Sequence, residues 1–461
     1  MDRTRWWVYL GGLVALLALF VLGWRIWFRP EIIIDPRAKI DVNQDYQLVL
    51  WDEIFPASPE IKEEQERAIR QAIREFQRVY PNVDVELKLW PQGQLLPALE
   101  TAIADGRPPD VVMLSSAQRH PLQLPITKFA ESLGEVEYFA PVWERMQFNG
   151  DYWAWPSWSE VRLLALNQRL LGRSFHDVLT AGDGSEGYRA LCLDLTGLME
   201  RAAGVGTQPA LVLQGGTGEA LALILEGQGA PLLMEDGVVG WTQSVIADTA
   251  EQISLWFSRK VITTAAGDFL EKFYTGNSPI IGPVGPWVLG KIPKQRWSNT
   301  APGANDIAFL PFPCQSTWGP PEPIDHRVAI FRQSPYKGAA HTRLAADFGR
   351  LYAKYMGIFY SVVRYGVPSY QPLLGIWSDQ LKLSSLQQAG LLAACSGRAR
   401  PRLTPEWEGL AKKLLDEAVL PEATAFLSGG ISAQELAANL ADEIERGVQS
   451  LRQQQEQKQR H

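Results

Sequence analysis

Between residues 47 and 114 the apolar residues switch repeatedly between a period of two and a period near 3.6, which restricts the chain to a layered α/β fold. Gln47-Leu-Val-Leu-Trp51 reads as a short strand, closed by Asp52-Glu53 and by Pro56 and Pro59. Ile69, Ala72, Ile73, Phe76 and Tyr80 recur at helical spacing among charged residues, predicting an amphipathic helix over 60–80 that stops at Pro81-Asn82. Val83, Val85, Leu87 and Leu89 alternate with Asp, Glu and Lys as a half-buried strand does. Leu95 to Ala104 is helical again, Asp105 to Asp110 is a turn, and Val111 to Leu114 is a buried strand. Such an order implies a parallel, doubly wound sheet, in which ligands bind beyond the carboxyl ends of the strands. Those ends carry Trp51, Asp52 and Glu53 on one strand and Ser115 and Ser116 on another, so these five are candidate ligand contacts.

The second half alternates in the same way. Leu211-Val-Leu-Gln214 leads into Gly-Gly-Thr-Gly218 and then a helical run over 219–226. No Lys-Ser/Thr follows, so a nucleotide P-loop is not indicated; the turn reads as a tight strand-to-helix connection facing a cleft. Gln214 and Glu219 flank it as polar candidates. The stretch from Gln449 to His461 is polar and reads as a fraying tail.

At 461 residues the chain calls for two lobes or domains. The formal charge is −7, and because residues 1–30 hold four Arg and one Asp, the remainder carries −10. An acidic body repels phosphate backbones, so nucleic acid is not an expected partner. Trp6 to Trp24 is uncharged, flanked by Arg3, Arg5, Arg25 and Arg29, and edged by tryptophans. It nearly spans a hydrocarbon core of about 30 Å. No small-residue cleavage site follows it, so it reads as an uncleaved single-pass anchor, with residues 31–44 as a tether. Cys192, Cys314 and Cys395 show no metal spacing; they read as buried small residues, or as one disulfide with a free thiol.

Several motifs recur in an order that carries a family resemblance. They are LVLWDEI (48–54), EFQRVYPNVDVEL (75–87), ALETAIADGRPPDVVML (98–114) and GDYWAWPSWSEVRLLALNQRLL (150–171). FYTGNSPIIGPVGPW (273–287), NDIAFLPFP (305–313), HRVAIF (326–331), YGVPSY (365–370) and FLSGGISAQELAANL (426–440) follow. From about residue 46 to about residue 447 the chain resembles the extracellular solute-binding proteins of the maltose-binding-protein type, which serve ABC importers. The resemblance implies two doubly wound α/β lobes of the periplasmic binding protein type II arrangement, joined by three crossings near 158–161, 327–329 and 367–372. Lobe one is then 45–158 with 329–368, and lobe two 161–327 with 369–450, closing on ligand about a hinge. It also implies Trp287 as a sugar-stacking ring, Glu160 as an acceptor of sugar hydroxyls, and Trp407 as a further aromatic contact. The maltose binder's aromatic and acidic pair after the third strand is replaced here by Leu114-Ser-Ser-Ala117, so maltodextrin specificity is not carried over. Trp153, Trp155, Trp158 and Trp318 are alternative stacking faces. Arg119 or Arg162, turned into the cleft, favours a phosphate or carboxylate ligand.

The expected function is therefore an extracytoplasmic receptor on the bacterial cell membrane. It takes a small polar solute, a sugar or oligosaccharide, and works with ABC permease subunits. No cofactor or metal is expected. No HExxH, GxSxG or P-loop pattern is present, and His120, His176, His326, His341 and His461 are not spaced as metal ligands. Two rival readings remain at this level: a glycoside hydrolase pairing Asp52 or Glu53 with Glu160, and a sensor or envelope scaffold that does not transport.

Overall fold

The computed structural model describes residues 34–460, except 55–58, 116–118, 134–136, 172–173, 182–190, 230, 235–236, 266, 294–297, 316–318 and 398–402. The apolar run 6–24, Ser116 and Trp318 lie outside the described residues. Among the described residues no helix is long and apolar enough to cross a membrane.

Strand β1 (Tyr46–Glu53) pairs in parallel with β2 (Val83–Trp90), in register from Tyr46 opposite Val83 to Glu53 opposite Trp90. It also pairs in parallel with β3 (Val111–Leu114). Tyr46, Leu48, Leu50 and Asp52 form the buried face of β1, as its period of two requires. That face is covered by α1 (Pro59–Val79), which turns Gln65, Ile69, Ala72, Ile73 and Phe76 inward. The sheet continues through β13 (Ile324–Phe331), β7 (Trp155–Glu160) and β14 (Val367–Pro368), all joined antiparallel, with β4 (Gln123–Leu124) beside β13. A second sheet among the described residues runs β10 (Ile262–Ala265), β9 (Leu211–Gln214), β11 (Ile280–Val284), β8 (Leu163–Asn167), β12 (Ile307–Pro311).

Each sheet is thus parallel in part, with antiparallel strands added to the parallel, doubly wound arrangement expected. The physical reason lies in the connections. β7 passes directly into β8 through residues 161–162, and β12 returns to β13 through 312–323, so these strands enter their sheets from the opposite direction. The second passage precedes 327–329, because Ile324 already pairs with Glu160. The chain leaves the first sheet a last time after β14 and reaches helix Ser385–Cys395, which packs on β12. Separate apolar cores fill the two halves, one around Leu48, Phe348 and Tyr352, the other around Leu164, Leu221 and Trp241.

Cys192 and Cys314 are bonded to each other with their Cα atoms 5.7 Å apart, and Cys395 is free and buried. One disulfide with a free thiol therefore holds, not three isolated small residues; the partners are 122 positions apart and meet only in the folded chain. The polar tail is also more ordered than expected. It continues the helix Ala433–Arg460, because Leu451 still packs on the second core and Gln, Glu, Lys and Arg are good helix formers.

Candidate ligand cleft

A polar cavity of about 390 Å³ opens at the carboxyl ends of β1 and β3. Asp52, Glu53, Gln92, Ser115, Trp158 and His326 line it, together with Arg364 and Lys412. Asp52 is 2% exposed because it continues the buried face of β1. Its carboxylate accepts from the hydroxyls of Tyr352 (2.5 Å) and Tyr360 (3.2 Å) and from the Glu53 N–H (2.7 Å). The two tyrosines stand two turns apart on one face of helix Ala339–Val363. Gln65 closes the network, donating to the Tyr360 hydroxyl and to the Glu53 carbonyl, both at 2.7 Å. Burial pushes the Asp52 carboxyl up to about 6, against the lowering effect of these hydrogen bonds. Glu53 holds the loop after β2 by accepting from the Gly93 N–H.

The opposite rim is aromatic. Trp158 and His326 stack with ring centres 3.8 Å apart and planes within 6° of parallel. Cross-strand pairing of β7 with β13 sets these two residues side by side. The indole Nε1 of Trp158 and the imidazole Nε2 of His326 are buried and have no hydrogen-bond partner among the described residues. Burial lowers the His326 pKa, although Glu160 pulls it the other way across 3.8 Å. Carboxylates, an amide and a serine make this a surface suited to hydroxyl groups.

The expected contacts fall into three sets. Asp52, Glu53 and Ser115 come together on this cavity. Glu160 and Glu219 instead meet each other through Arg162, whose Nη1 lies 2.9 Å from Glu160 and whose Nε lies 2.7 Å from Glu219. Burial opposes the Glu160 charge, but His326, Arg162 and Arg364 outweigh it and hold the carboxyl down at about 2. Gln214 ends β9, half-buried, before the glycine turn. There Gly218 is left-handed (φ 64°), and an added Cβ would lie 2.3 Å from the Leu420 carbonyl, so the turn is a close packing contact.

The aromatic candidates mostly serve packing. Trp407 is buried in the second core against Gly237, and Trp155 is buried in the first. Trp51 meets Trp90 edge-on at 4.9 Å under Lys88. Trp287, in the 3₁₀ turn Pro286–Lys291, is half-buried with the Lys291 ammonium 4.7 Å from its ring centre. Sequence reasoning does not single out His326, Tyr352, Tyr360, Arg364 or Lys412 as ligand contacts. The eight-residue spacing of the tyrosines is the available signal; Lys412 gives none. Among the described residues no group of His, Cys, Asp or Glu gathers as a metal site.

No family model and no curated protein sequence matches the chain. Solved structures do match over most of its length. The sugar-binding protein MalE from Xanthomonas citri superposes with a TM-score of 0.61 at 16% identity, covering 89% of this chain and 99% of its own. The maltotriose-bound maltodextrin-binding domain from Bdellovibrio bacteriovorus gives 0.52 at 16%, covering 87% and 100%. A chitin oligosaccharide binding protein gives 0.54 at 14%, covering 88% and 99%. These neighbours are binding proteins. The chain has the fold of the maltose- and oligosaccharide-binding ABC substrate-binding proteins.

Proposed function

We propose that the protein is an extracytoplasmic receptor that captures a sugar or oligosaccharide without turning it over, and delivers it to ABC permease subunits. In this reading residues 6–24 hold it to the bacterial membrane as a single-pass anchor. The two lobes are the halves built on the first sheet and on the second. The observation that carries the proposal is the polar cleft, where Asp52, Glu53, Gln92 and Ser115 face the stacked Trp158–His326 pair. Carboxylate and amide groups bind hydroxyls. Trp287, Glu160, Gln214 and Glu219 then belong to the wall that hinge closure brings onto the ligand, and Trp407 and Trp51 support the two walls from behind.

A thermal-shift screen of the full chain against mono- and oligosaccharides, glycerol-phosphates, polyamines and amino acids tests this. A sugar at a hundred times its dissociation constant should add about 2.7 kcal/mol of stability. Glu53→Gln should weaken that sugar about tenfold, the loss of one charge-assisted contact. If phosphates or amines stabilise the protein and sugars do not, the sugar assignment fails; if a bound sugar is hydrolysed, the receptor reading fails.

A further inference from the structure

A second, larger cavity of about 600 Å³ lies between the first sheet and the helices of the second, within the range of about 300–1,000 Å³ usual for small-molecule sites. Its chemistry differs from that of the polar cleft. Phe148 and Trp153, from the hairpin of β5 (Gln147–Phe148) and β6 (Asp151–Tyr152), form one wall. Leu232, Trp241, Leu403 and Leu415 form the other.

The charged side chains at this cavity sort cleanly. Arg145 is committed to Asp325 and to two backbone carbonyls. Glu226, Glu322, Glu408 and Arg327 are each engaged within the protein. Arg119 and Lys412 remain, from opposite sides, and neither has an ion-pair or hydrogen-bond partner among the described residues. The Arg119 guanidinium lies 4.6 Å from the Trp153 ring centre and 5.5 Å from that of Phe148. Stacking occupies the face of the guanidinium and leaves its N–H edge for an anion.

We propose that this cavity binds a small apolar acid, an aromatic or short aliphatic body bearing a carboxylate that Arg119 and Lys412 neutralise. The apolar walls supply burial and the two cations supply selection by charge. A neutral apolar molecule leaves both cations without a partner, and a neutral sugar leaves the leucine and tryptophan walls poorly matched. Arg119 belongs to this cavity alone, whereas Lys412 also lines the polar cleft, so Arg119 is the residue to change.

The test is calorimetric titration of the full chain, held in nanodiscs of zwitterionic lipid, with 4-phenylbutyrate and its uncharged counterpart 4-phenylbutanol. The acid should bind saturably at one site, with the alcohol about tenfold weaker. Arg119→Gln, a change at an exposed side chain, should erase that advantage while leaving sugar binding in place. Leu232→Trp, which fills the cavity, should abolish acid binding in protein that still melts cooperatively. Acid and alcohol binding equally, an affinity unchanged in Arg119→Gln, or no saturable acid binding would each overturn the proposal.

Discussion

Two carboxylates are shielded in the first sheet, Asp52 on β1 and Asp325 on β13, and their partners differ in charge. Asp52 is held by neutral donors, the Tyr352 and Tyr360 hydroxyls and one backbone N–H. Asp325 is held by a guanidinium: Arg145 binds it through Nε at 2.5 Å and Nη2 at 2.9 Å, and Ser159 adds a hydroxyl at 2.6 Å. The remaining nitrogen of Arg145 donates to the carbonyls of Cys395 (2.9 Å) and Gly397 (2.8 Å), at the carboxyl end of helix Ser385–Cys395. A cation there also meets the negative end of the helix dipole. The first carboxylate can take up a proton without losing its partners, so it can tune the cleft. The second, through Arg145, joins segments on both sides of the crossings. Burial alone therefore does not decide what a carboxylate does; the charge of its partner does.

Breaking the charged member should have the larger effect. Arg145 is 0% exposed, so Arg145→Met leaves Asp325 buried with no counter-charge. The expected loss is about 3–5 kcal/mol in a urea titration. The double variant Arg145→Met/Asp325→Leu should recover most of it, because an apolar pair of similar volume removes both desolvation penalties. A single variant that loses under about 1 kcal/mol, the worth of an exposed pair, would show that the contrast between the two carboxylates is geometric only.

The same contrast marks how far the sequence could be read. The alternation of Leu48, Leu50 and Asp52 along one strand already places Asp52 on the buried face, and the strand-end rule places Glu53 and Ser115 beside it. What it cannot show is the partner. Tyr352 is 300 positions away, and its hydroxyl reaches Asp52 only because helix Ala339–Val363 is laid across the sheet. Arg145 is harder still, since nothing in a short helix ending in Glu-Arg says that its last side chain is buried against Cys395 and Gly397. Glu160, which the family resemblance implies as a ligand acceptor, stands at the end of β7. Arg162, two positions on, captures it and also pairs with Glu219, which opens a helix of the second half. Strand and helix order follow from local periodicity, whereas the state of each charge is set by residues that only the tertiary fold brings near.

Asp52→Asn sharpens the comparison through pH. The folded carboxyl, pushed up to about 6, binds a proton that the unfolded one, near 3.9, has released. Between about pH 4 and pH 6 the folded state holds more protons, so Asp52 makes stability fall as pH rises and has no further effect above that window. A carboxyl pKa raised from about 4 to about 6 is worth about 3 kcal/mol at most. The stability of Asp52→Asn relative to the native protein should therefore climb by up to that amount between pH 4 and pH 6. Glu160 acts in the opposite sense, its depressed pKa adding stability that is lost as pH falls toward 2, and it is common to both proteins. A relative stability that stays flat across the window would mean that Asp52 is ionised in both states.

Tyr352→Phe has the smallest expected effect and isolates the hydroxyl partner. It removes the 2.5 Å hydrogen bond to Asp52 and keeps the ring, so the loss at pH 7 should be near 1 kcal/mol. Its second consequence is directional. The Tyr352 hydroxyl lowers the Asp52 pKa against the push of burial, so removing it should raise the carboxyl above about 6 and move the upper edge of the pH window upward. The change is measurable by NMR titration of the Asp52 carboxyl or as a displaced midpoint in the pH dependence of unfolding. If Tyr352→Phe leaves the window where it was, the hydroxyl partner does not tune Asp52, and burial sets its pKa.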